Sequence, residues 1–387
     1  MTAWLNEGVI DTIAAQAPEA DRSRTVSAEA IAALRSSPVM GMTAAKSLGG
    51  SDASCVEIAK VLGEVATACS STAWCLWNHL STFHLFCGLL GPYHSSQLSN
   101  IVHASEWVCF PAGASTGVRS ETDDTRQELI LTGKAAFGSG SRYAQWAGVS
   151  FVGDDRTKPK FALVDLRSPQ VRIDPTWQAM SLRASSTDDV YYEGVRIAEA
   201  NVSPFPMMYR VEFRNPNVPV IASRYREDWV GISDLWLGAM AASICQASLD
   251  EICMGIRDRV AIMGVKVAER PLVQVNLGQA QGLITAAKDT VSATLQATDD
   301  RMQKAEAPSE ANYLAQMSAS TQALAFCEDA MRLMLRVQGG NGLREGTTFE
   351  RRYRDFQAMP LHINAHRDRV SEQVGRALLG LETTNPF

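Results

Sequence analysis

The sequence predicts an α+β fold in which a β region lies between two helical regions. Three observations predict it: helical spacing of apolar residues in the first hundred residues, short β-type runs after them, and long helical patterns toward the C-terminus. We divide the chain into an N-terminal helical domain at 1–104, a middle β domain at 105–202, a lid or connecting loop at 203–228 and a helical bundle at 229–387.

Helix signals in the N-terminal region are of two kinds. Ser27 fits the N-cap position of the S-A-E-A-I-A-A-L run, and residues 51–67 carry apolar side chains at helical spacing. The longest apolar run, 73–91, contains asparagine, histidine, serine and threonine, which makes it too polar to span a membrane. We therefore expect a buried helix there.

The middle region alternates short apolar runs with turn residues, which is typical of a small β-barrel or sandwich. The expected strands are 128–132, 148–152, 161–165, 171–173 and 189–197. Helical periodicity returns over 230–260, 272–303 and 310–337, and a last helix is expected from Glu350 onward. These segments predict a four-helix bundle.

Composition narrows the ligand classes. The chain has 387 residues, 46% of them hydrophobic, and a formal net charge of -6, so no basic surface for nucleic acid or an anionic membrane is expected. Its eight cysteines form no C-x-x-C pair, which favours reduced, buried thiols. Residues 1–20 lack the features of a secretion signal, so we expect a cytoplasmic protein that binds small molecules.

Several common cofactor motifs are missing from the sequence. It contains no G-x-G-x-x-G after an N-terminal strand, no Walker loop and no H-E-x-x-H. We therefore expect no metal and no site for NAD(P)H.

Three motifs carry the most information. The first, 131–141, reads L-T-G-K-A-A-F-G-S-G-S and precedes A-Q-W; on spacing alone it predicts a hairpin with Phe137 in the core. The second, 177–190, reads W-Q-A-M-S-L-R-A-S-S-T-D-D-V. The third joins Q-G-G-N-G at 338–342 to E-R-R-Y-R-D at 350–355.

Together these motifs resemble the acyl-CoA dehydrogenase superfamily, and the resemblance covers nearly the whole chain. It implies an N-terminal α-helical domain, a middle β-barrel domain and a C-terminal four-helix bundle, with flavin near the subunit interfaces of a homotetramer. Many dehydrogenases of the family carry their base in an I-x-E-G-T string after R-D, but no acid lies between Asp355 and Asp368 here. The resemblance is therefore to the two-component (group D) flavin-dependent monooxygenases.

Within that branch, the motif at 131–141 resembles the flavin-facing segment. The resemblance places Ser139 beside the flavin N5 atom, with Ser141 as the alternative, and assigns Phe137, Gly138 and Gly140 to the cofactor site. A hydroxyl there can accept from N5–H and slow the collapse of a C4a-hydroperoxide, while glycines let the backbone approach the ring. The motif at 177–190 is expected to be mainly structural.

Histidines are the expected acid–base groups. This branch often has one histidine on the helix after S-T-A-W and another after R-D in the last helix; His84 and His362 are the nearest matches, with His79 and His366 as alternatives. Imidazole titrates near neutrality, so it can take a proton from a phenol or an indole N–H. A buried, hydrogen-bonded structural histidine remains the competing interpretation for each.

Flavin anchoring and an apolar pocket complete the expected site. Arg259 resembles a pyrophosphate-binding arginine, although a solvated surface charge explains it equally well. A neighbouring subunit would contribute Gln338, Gly339, Gly340 and Asn341. The expected substrate pocket is lined by His79, Phe83, Trp107, Phe110, Trp146 and Met208.

The resemblance implies the oxygenase component of a two-component system. A separate NAD(P)H:flavin reductase would supply reduced flavin by diffusion, FADH2 in preference to FMNH2, and O2 would be the co-substrate for hydroxylation of a phenol- or indole-like molecule. Two alternatives stay open: a dehydrogenase with a relocated base, for which Glu251 is a candidate, and a flavin-free scaffold or sensor.

Overall fold

The computed structural model describes residues 4–113, 117–205, 217, 219–261 and 264–383. Its elements run in the order helices, strands, helices, which confirms the predicted fold class. The N-terminal helices are α1 Val9–Ser23, α2 Ala28–Arg35, α3 Cys55–Ala68, α4 Ser70–Leu90 and α5 Ser95–His103.

Local capping explains where two of these helices begin. The Ser27 side chain accepts a hydrogen bond from the Ala30 backbone N–H at the start of α2, as its position in the sequence predicts. Ser54 and Glu57 form a reciprocal capping box at the start of α3.

Helix α4 is the buried helix predicted from the apolar run. Burial extends around its whole circumference, since 18 of its 21 residues are buried. A helix that is apolar on every side lies in the core of a large protein. Its polar side chains are therefore also buried, and each of them needs a hydrogen-bond partner.

The middle region forms two four-stranded sheets, ordered β1-β4-β5-β8 and β2-β3-β7-β6. Their strands are β1 Val108–Cys109, β2 Arg119–Asp123, β3 Glu128–Gly138, β4 Trp146–Phe151, β5 Lys160–Asp165, β6 Val171–Asp174, β7 Asp188–Ala198 and β8 Ser203–Pro204. Strand β1 pairs in parallel with β4, and the other pairs are antiparallel. The register of β3 against β7 shifts between Ala135 and Gly138, immediately before the Gly-Ser-Gly-Ser segment.

Helices return after residue 228 as α6 Trp229–Ile256, α7 Pro271–Gln303, α8 Glu310–Gln338, α9 Thr348–Phe356 and α10 Arg367–Leu378. Helices α6, α7 and α8 pack on one another, α10 packs on α8, and α3 packs on α6. By length and composition α6 is the one described helix that could cross a membrane, but 78% of its most apolar window is buried inside the protein, as in a core helix.

The expectation of one continuous last helix from Glu350 is wrong. Helix α9 ends at Phe356, and two 3-10 turns, Met359–Leu361 and Ile363–Ala365, come before α10. Pro360 lies in the first turn, and a proline there has no N–H to continue an α-helix. His362 therefore lies between the two turns rather than on a helix.

Two of the sequence motifs dock on each other although they are 173 residues apart. The Leu182 backbone N–H donates to the Asp355 carboxylate at 2.7 Å, and the Ser181 hydroxyl donates to the Arg354 carbonyl at 2.6 Å. The Arg354 guanidinium also pairs with Asp21 of α1 at 2.9 Å. This junction ties the end of the β region to both helical regions.

Candidate active site

Ser139 follows β3 and begins a chain of buried hydroxyl groups. Its Oγ accepts a hydrogen bond from the Trp74 indole N–H at 3.0 Å and lies 3.0 Å from Thr187 Oγ1, which lies 2.7 Å from Ser185 Oγ. All four residues are buried. A hydroxyl has one donor and two acceptor positions, so Ser139 keeps one position for a further partner. The direction of the Ser139–Thr187 bond decides whether that position donates or accepts.

The β-bulge beside Ser139 turns an aromatic ring outward. Phe137 has a φ of +57° and is 64% exposed, so the expectation that it packs in the core of a plain hairpin is wrong. Left-handed backbone is uncommon for a bulky residue and occurs where the surrounding structure enforces it, often at functional sites. An exposed aromatic ring next to a buried hydroxyl is suited to a flat ligand.

The neighbouring glycines and Ser141 serve the protein's own packing. A Cβ at Gly138 would lie 3.0 Å from the Asp188 carbonyl, and one at Gly140, where φ is +76°, would lie 3.3 Å from Trp107 Nε1. Ser141 is fully buried and its hydroxyl donates to the Ser186 carbonyl at 3.3 Å. Of the two serines, Ser139 has the more available hydroxyl.

His362 lies against the same part of α4. Its ring meets Trp74 and Trp77 edge-on, with centroid distances of 5.6 and 5.1 Å. Its Nδ1 atom is buried and has no hydrogen-bond partner among the described residues. Burial lowers the pKa of His362 to about 4, and nearby His366 lowers it as well, so the ring is neutral at neutral pH. A neutral imidazole with an unused ring nitrogen can exchange a hydrogen bond with a ligand.

His79, by contrast, is fully hydrogen-bonded. The Val108 backbone N–H donates to its Nδ1 at 3.1 Å, which fixes the tautomer so that Nε2–H donates to the Met40 carbonyl at 3.0 Å. Burial lowers its pKa to about 4. Both nitrogens are engaged by backbone, so this ring joins α4 to β1 and to the 38–41 turn.

His84 lies farther along α4 and has other neighbours. Its Nε2–H donates to the Glu227 carbonyl at 3.2 Å and its ring packs edge-on against Tyr225 at 5.1 Å. Burial and the charge of Arg224 lower its pKa to about 3. Seven residues beyond Trp77 correspond to about 10 Å along the helix axis. The structure therefore brings His362, and not His84, together with Trp74 and Ser139.

The expected pocket residues are spread over different surroundings. Phe83 and Trp107 are completely buried in the core, while Phe110 is half-buried and packs edge-on against Trp229 at 5.8 Å. The Trp146 indole N–H donates to Glu106 at 2.6 Å, so this side chain faces an outer edge. Met208 lies outside the described residues.

The expected anchoring residues share one exposed surface. The Arg259 guanidinium lies 3.5 Å from the Gln338 amide oxygen, and Gly339, Gly340 and Asn341 are exposed. Large exposed apolar side chains lie on the same ends of α6, α7 and α8: Met254, Val260, Val265, Leu272, Val275 and Leu343. Apolar surface of this kind is typical of an interface.

Glu251, the candidate for a relocated base, forms an ion pair with Arg352 at 2.9 Å. Both line an open surface groove with Ile10, Thr67 and Met254. This carboxylate is already paired with a cation and does not contact the residues around Ser139.

The sequence motifs did not reveal the partners that complete the site. Trp74 and Trp77 frame His362, and Thr187 extends the hydroxyl chain from Ser139, yet neither role is visible from spacing. The available signal was the presence of Trp74 in S-T-A-W and of Thr187 in the second motif. Within the described residues, no group of three or more His, Cys, Asp or Glu side chains could hold a metal ion.

Comparison with known proteins identifies similar chains. The family model for the N-terminal domain of acyl-CoA dehydrogenase matches residues 5–87, and the model for its C-terminal domain matches residues 235–367. A "pigment production hydroxylase" from a Rhodococcus species is 23% identical, covering 98% of this chain and 96% of the relative. An "FADH(2)-dependent resorcinol hydroxylase, oxygenase component" from a Rhizobium species is 25% identical, covering 98% and 94%.

The fold also matches solved structures. The structure of XiaF from a Streptomyces species, in complex with FADH2 and glycerol, superposes with a TM-score of 0.86 at 19% identity. The match covers 97% of this chain and 93% of that one. It shows the same arrangement of helices and sheets over almost the whole chain.

Proposed function

This chain belongs to the acyl-CoA dehydrogenase family, and we propose that within it the protein is the oxygenase component of a two-component, reduced-flavin-dependent monooxygenase. Its substrate would be an aromatic or heteroaromatic small molecule of the phenol or indole type. The two relatives described above, both hydroxylases that align over nearly the full chain, support this reaction class.

One observation carries the proposal: a neutral imidazole, His362, packs against Trp74, and the indole N–H of Trp74 donates to the buried Ser139 hydroxyl. A dehydrogenase needs a carboxylate to remove an α-proton, and no carboxylate lies in this group of side chains. A neutral imidazole can instead accept a hydrogen bond from a phenol O–H or an indole N–H, which raises the nucleophilicity of the ring.

The residues around Ser139 fit a flavin ring. Phe137 offers an exposed aromatic face, Ser139 has one unused hydrogen-bonding position, and the Nδ1 atom of His362 lacks a partner among the described residues. Bound reduced flavin would supply two electrons to O2, and one atom of that O2 would go to the substrate while the other leaves as water. Residues 137–141 would hold the ring, and the Ser139 hydroxyl would bind a ring N–H.

The same side chains limit the access of water. Trp74 and Trp77 are almost completely buried, and Phe110 packs edge-on against Trp229. Exclusion of water favours transfer of oxygen to the substrate over release of hydrogen peroxide.

The exposed surface around Arg259 and Gln338 supports a homotetramer with flavin anchored between subunits. Arg259 would bind pyrophosphate, and Gln338 to Asn341 would approach the adenine end of FAD bound by the adjacent subunit. The apolar residues around this surface would be buried in that contact. An NAD(P)H:flavin reductase would deliver the reduced flavin by diffusion in the cytoplasm.

A rapid-mixing experiment tests the proposed function. The protein is combined anaerobically with chemically reduced FAD or FMN and then mixed with oxygenated buffer, with and without a phenol. We expect the return of the oxidised-flavin absorbance to be delayed relative to free flavin, and the phenol to acquire oxygen from labelled O2. Immediate reoxidation with hydrogen peroxide as the sole product would contradict the proposal.

The dehydrogenase alternative finds no support around Glu251, because Arg352 already neutralises this carboxylate at the surface. It predicts that an acyl-CoA bleaches the oxidised flavin in the absence of air. The scaffold alternative predicts that neither oxidised nor reduced flavin raises the melting temperature.

A further inference from the structure

Three buried polar atoms on α4 and at the start of α6 have no hydrogen-bond partner among the described residues. They are Asn78 Oδ1 and Thr82 Oγ1 on α4, and Nε1 of Trp229, the first residue of α6. Leaving such a group unsatisfied costs about 1–3 kcal/mol. Apolar side chains of the same shape would avoid this cost, so these polar atoms are candidates for contacts with a ligand.

Two hydrogen bonds between α4 and the start of α6 show that the three residues lie at similar heights along the α4 axis. The Trp77 indole N–H donates to the Ser233 carbonyl at 2.7 Å, and His84 donates to the Glu227 carbonyl at 3.2 Å. Helix α4 therefore runs antiparallel to the start of α6. Along the chain, Asn78 and Thr82 lie between Trp77 and His84, and Trp229 lies between Glu227 and Ser233.

The face of α4 that carries Asn78 and Thr82 is the one that reaches Ser139. Trp74, Asn78 and Thr82 are spaced four residues apart, and each step of four rotates the side chain by only about 40° around the axis. Trp74 marks the end of this face that bonds to Ser139 at 3.0 Å. The polar atoms of Trp74, Asn78 and Thr82 thus form a row along α4 that begins at the proposed flavin site and runs toward Trp229.

An aromatic wall lies beside this polar edge. Phe110, which follows β1, packs edge-on against Trp229 at 5.8 Å and also contacts Phe161 and Phe205 at 5.9 and 6.0 Å. A flat apolar molecule can pack against this wall while its polar end meets α4.

The charged groups described next to this edge are already engaged. Asp228 caps α6 by accepting from the Val230 N–H at 2.8 Å, and Glu227 is paired with Arg301 at 2.6 Å. The Arg224 guanidinium donates to Asp52 at 2.8 Å and to the Ala53 carbonyl at 2.9 Å. The edge therefore offers hydrogen bonds from neutral groups, and the arginines described beside it, Arg224 and Arg301, are already paired with carboxylates.

We propose that Asn78, Thr82 and Trp229 form a hydrogen-bonding edge that binds the polar end of an uncharged aromatic substrate. It selects neutral hydroxy-aromatic or indole-like molecules over aryl carboxylates. This inference deepens the proposed function and rests on it. The three residues determine specificity, whereas the proton-handling group is His362.

Two matched phenols test the selection. 4-Ethylphenol and 4-hydroxyphenylacetate share a ring and nearly the same length, but the second carries a carboxylate. With reduced FAD and O2, we expect a KM at least about tenfold lower for 4-ethylphenol, since burying a carboxylate without a cation to pair with it is unfavourable by at least this factor. Equal or better use of the carboxylate, or no binding of 4-ethylphenol at millimolar concentration, overturns the inference. The delayed flavin reoxidation without substrate tests the proposed function separately.

Variants test the residues. Thr82→Val and Trp229→Phe remove one polar group each, and we expect KM for 4-ethylphenol to rise about five- to tenfold with kcat changed less than about threefold. Thr82→Val should also leave the melting temperature unchanged or raise it by about 1–3 °C, because an unsatisfied buried hydroxyl is removed.

The matched control is Thr294→Val on α7, whose hydroxyl donates to the Thr290 carbonyl at 3.1 Å. It should leave KM unchanged. If Thr82→Val lowers the melting temperature and leaves KM at the wild-type value, Thr82 has a structural role and the inference is wrong.

Discussion

Histidine rings contact α4 from two directions: His79 belongs to the helix and is fully hydrogen-bonded, whereas the half-buried His362 packs against it from the last 3-10 turns. On the side facing β1, His79 uses both ring nitrogens to bind backbone groups at Met40 and Val108. On the side facing the last 3-10 turns, the Nδ1 of His362 has no described partner. The same chemical group joins two elements in one place and remains available for a ligand in the other.

The pKa values of these histidines do not distinguish the two roles. Burial lowers the pKa to about 4 in both cases. The difference lies in the hydrogen bonds, because a ring with both nitrogens engaged cannot take part in proton transfer without breaking structure. The Nδ1 atom of His84 also lacks a described partner, but its ring lies against Tyr225 and Glu227 rather than against Trp74.

The largest expected effect comes from breaking the bonded side. In His79→Leu, the Met40 carbonyl and the Val108 N–H both lose their partner inside the core, and each loss costs about 1–3 kcal/mol. We expect the free energy of unfolding to fall by about 3–4 kcal/mol in urea titrations. His94→Leu, at a half-buried position outside the core, should change it by less than about 1 kcal/mol. Equal stability of the two variants would mean that the two hydrogen bonds of His79 do not hold the core together.

On the other side of α4, His362→Ala should affect the reaction rather than the fold. Loss of a positioned acid–base group typically reduces the rate by about 10²-fold, which corresponds to about 2.7 kcal/mol. We expect hydroxylated product to fall by this factor while hydrogen peroxide increases, with a melting temperature close to that of the wild type. Added imidazole should restore part of the product. A variant that remains fully coupled would exclude His362 as the proton-handling group.

Features formed by residues that are adjacent in the chain can be predicted from the sequence, whereas contacts between distant residues cannot. The buried α4 and the Ser27 cap follow from residues adjacent in the chain, so local patterns predict them. The bond from Trp74 to Ser139 joins residues 65 apart, and that from Leu182 to Asp355 joins residues 173 apart. Such pairs arise when helices and strands pack against one another, and the periodicity of apolar residues does not specify that packing.

The histidines show the same limit more sharply. His84 fits the motif spacing better than His79, yet the fold places it against Tyr225 and Glu227. His362 was identified by its position after R-D, although the helix expected to carry it ends before Pro360. Resemblance pointed to histidine as the residue type, and packing decides which histidine lies against Trp74.

Acid titration provides a smaller test that involves both sides of α4. An unfolded histidine has a pKa of about 6.5, whereas His79 and His362 are lowered to about 4. Below pH 6.5 the unfolded chain binds protons on these histidines that the folded chain does not. The contribution of the two neutral rings to the free energy of unfolding is therefore complete above pH 6.5 and is lost as the pH falls toward 4. Asp355, whose pKa burial raises to about 7, acts in the opposite direction over a similar range.

Removing one of the histidines should therefore make the free energy of unfolding less dependent on pH. We expect the loss of stability between pH 7 and pH 5 to be about 1–2 kcal/mol smaller in His362→Ala than in the wild type. In Asp355→Asn the loss of stability between pH 7 and pH 5 should be larger than in the wild type, because the Asp355 carboxyl opposes the histidines over this range. Urea titrations at the two pH values measure both effects, and an unchanged difference in His362→Ala would mean that its ring is charged in the folded protein.

The smallest expected effect separates two serines on one short segment. Ser139 shares its hydroxyl with Trp74 and Thr187 and keeps one hydrogen-bonding position, whereas the Ser141 hydroxyl is committed to the Ser186 carbonyl. Ser139→Ala should reduce the ratio of product to hydrogen peroxide about five- to tenfold, equivalent to about 1 kcal/mol, because the flavin loses a hydrogen-bond partner. Ser141→Ala should change this ratio less than twofold and lower stability slightly. The reverse outcome would assign the flavin contact to Ser141, whose hydroxyl does not bond to Trp74.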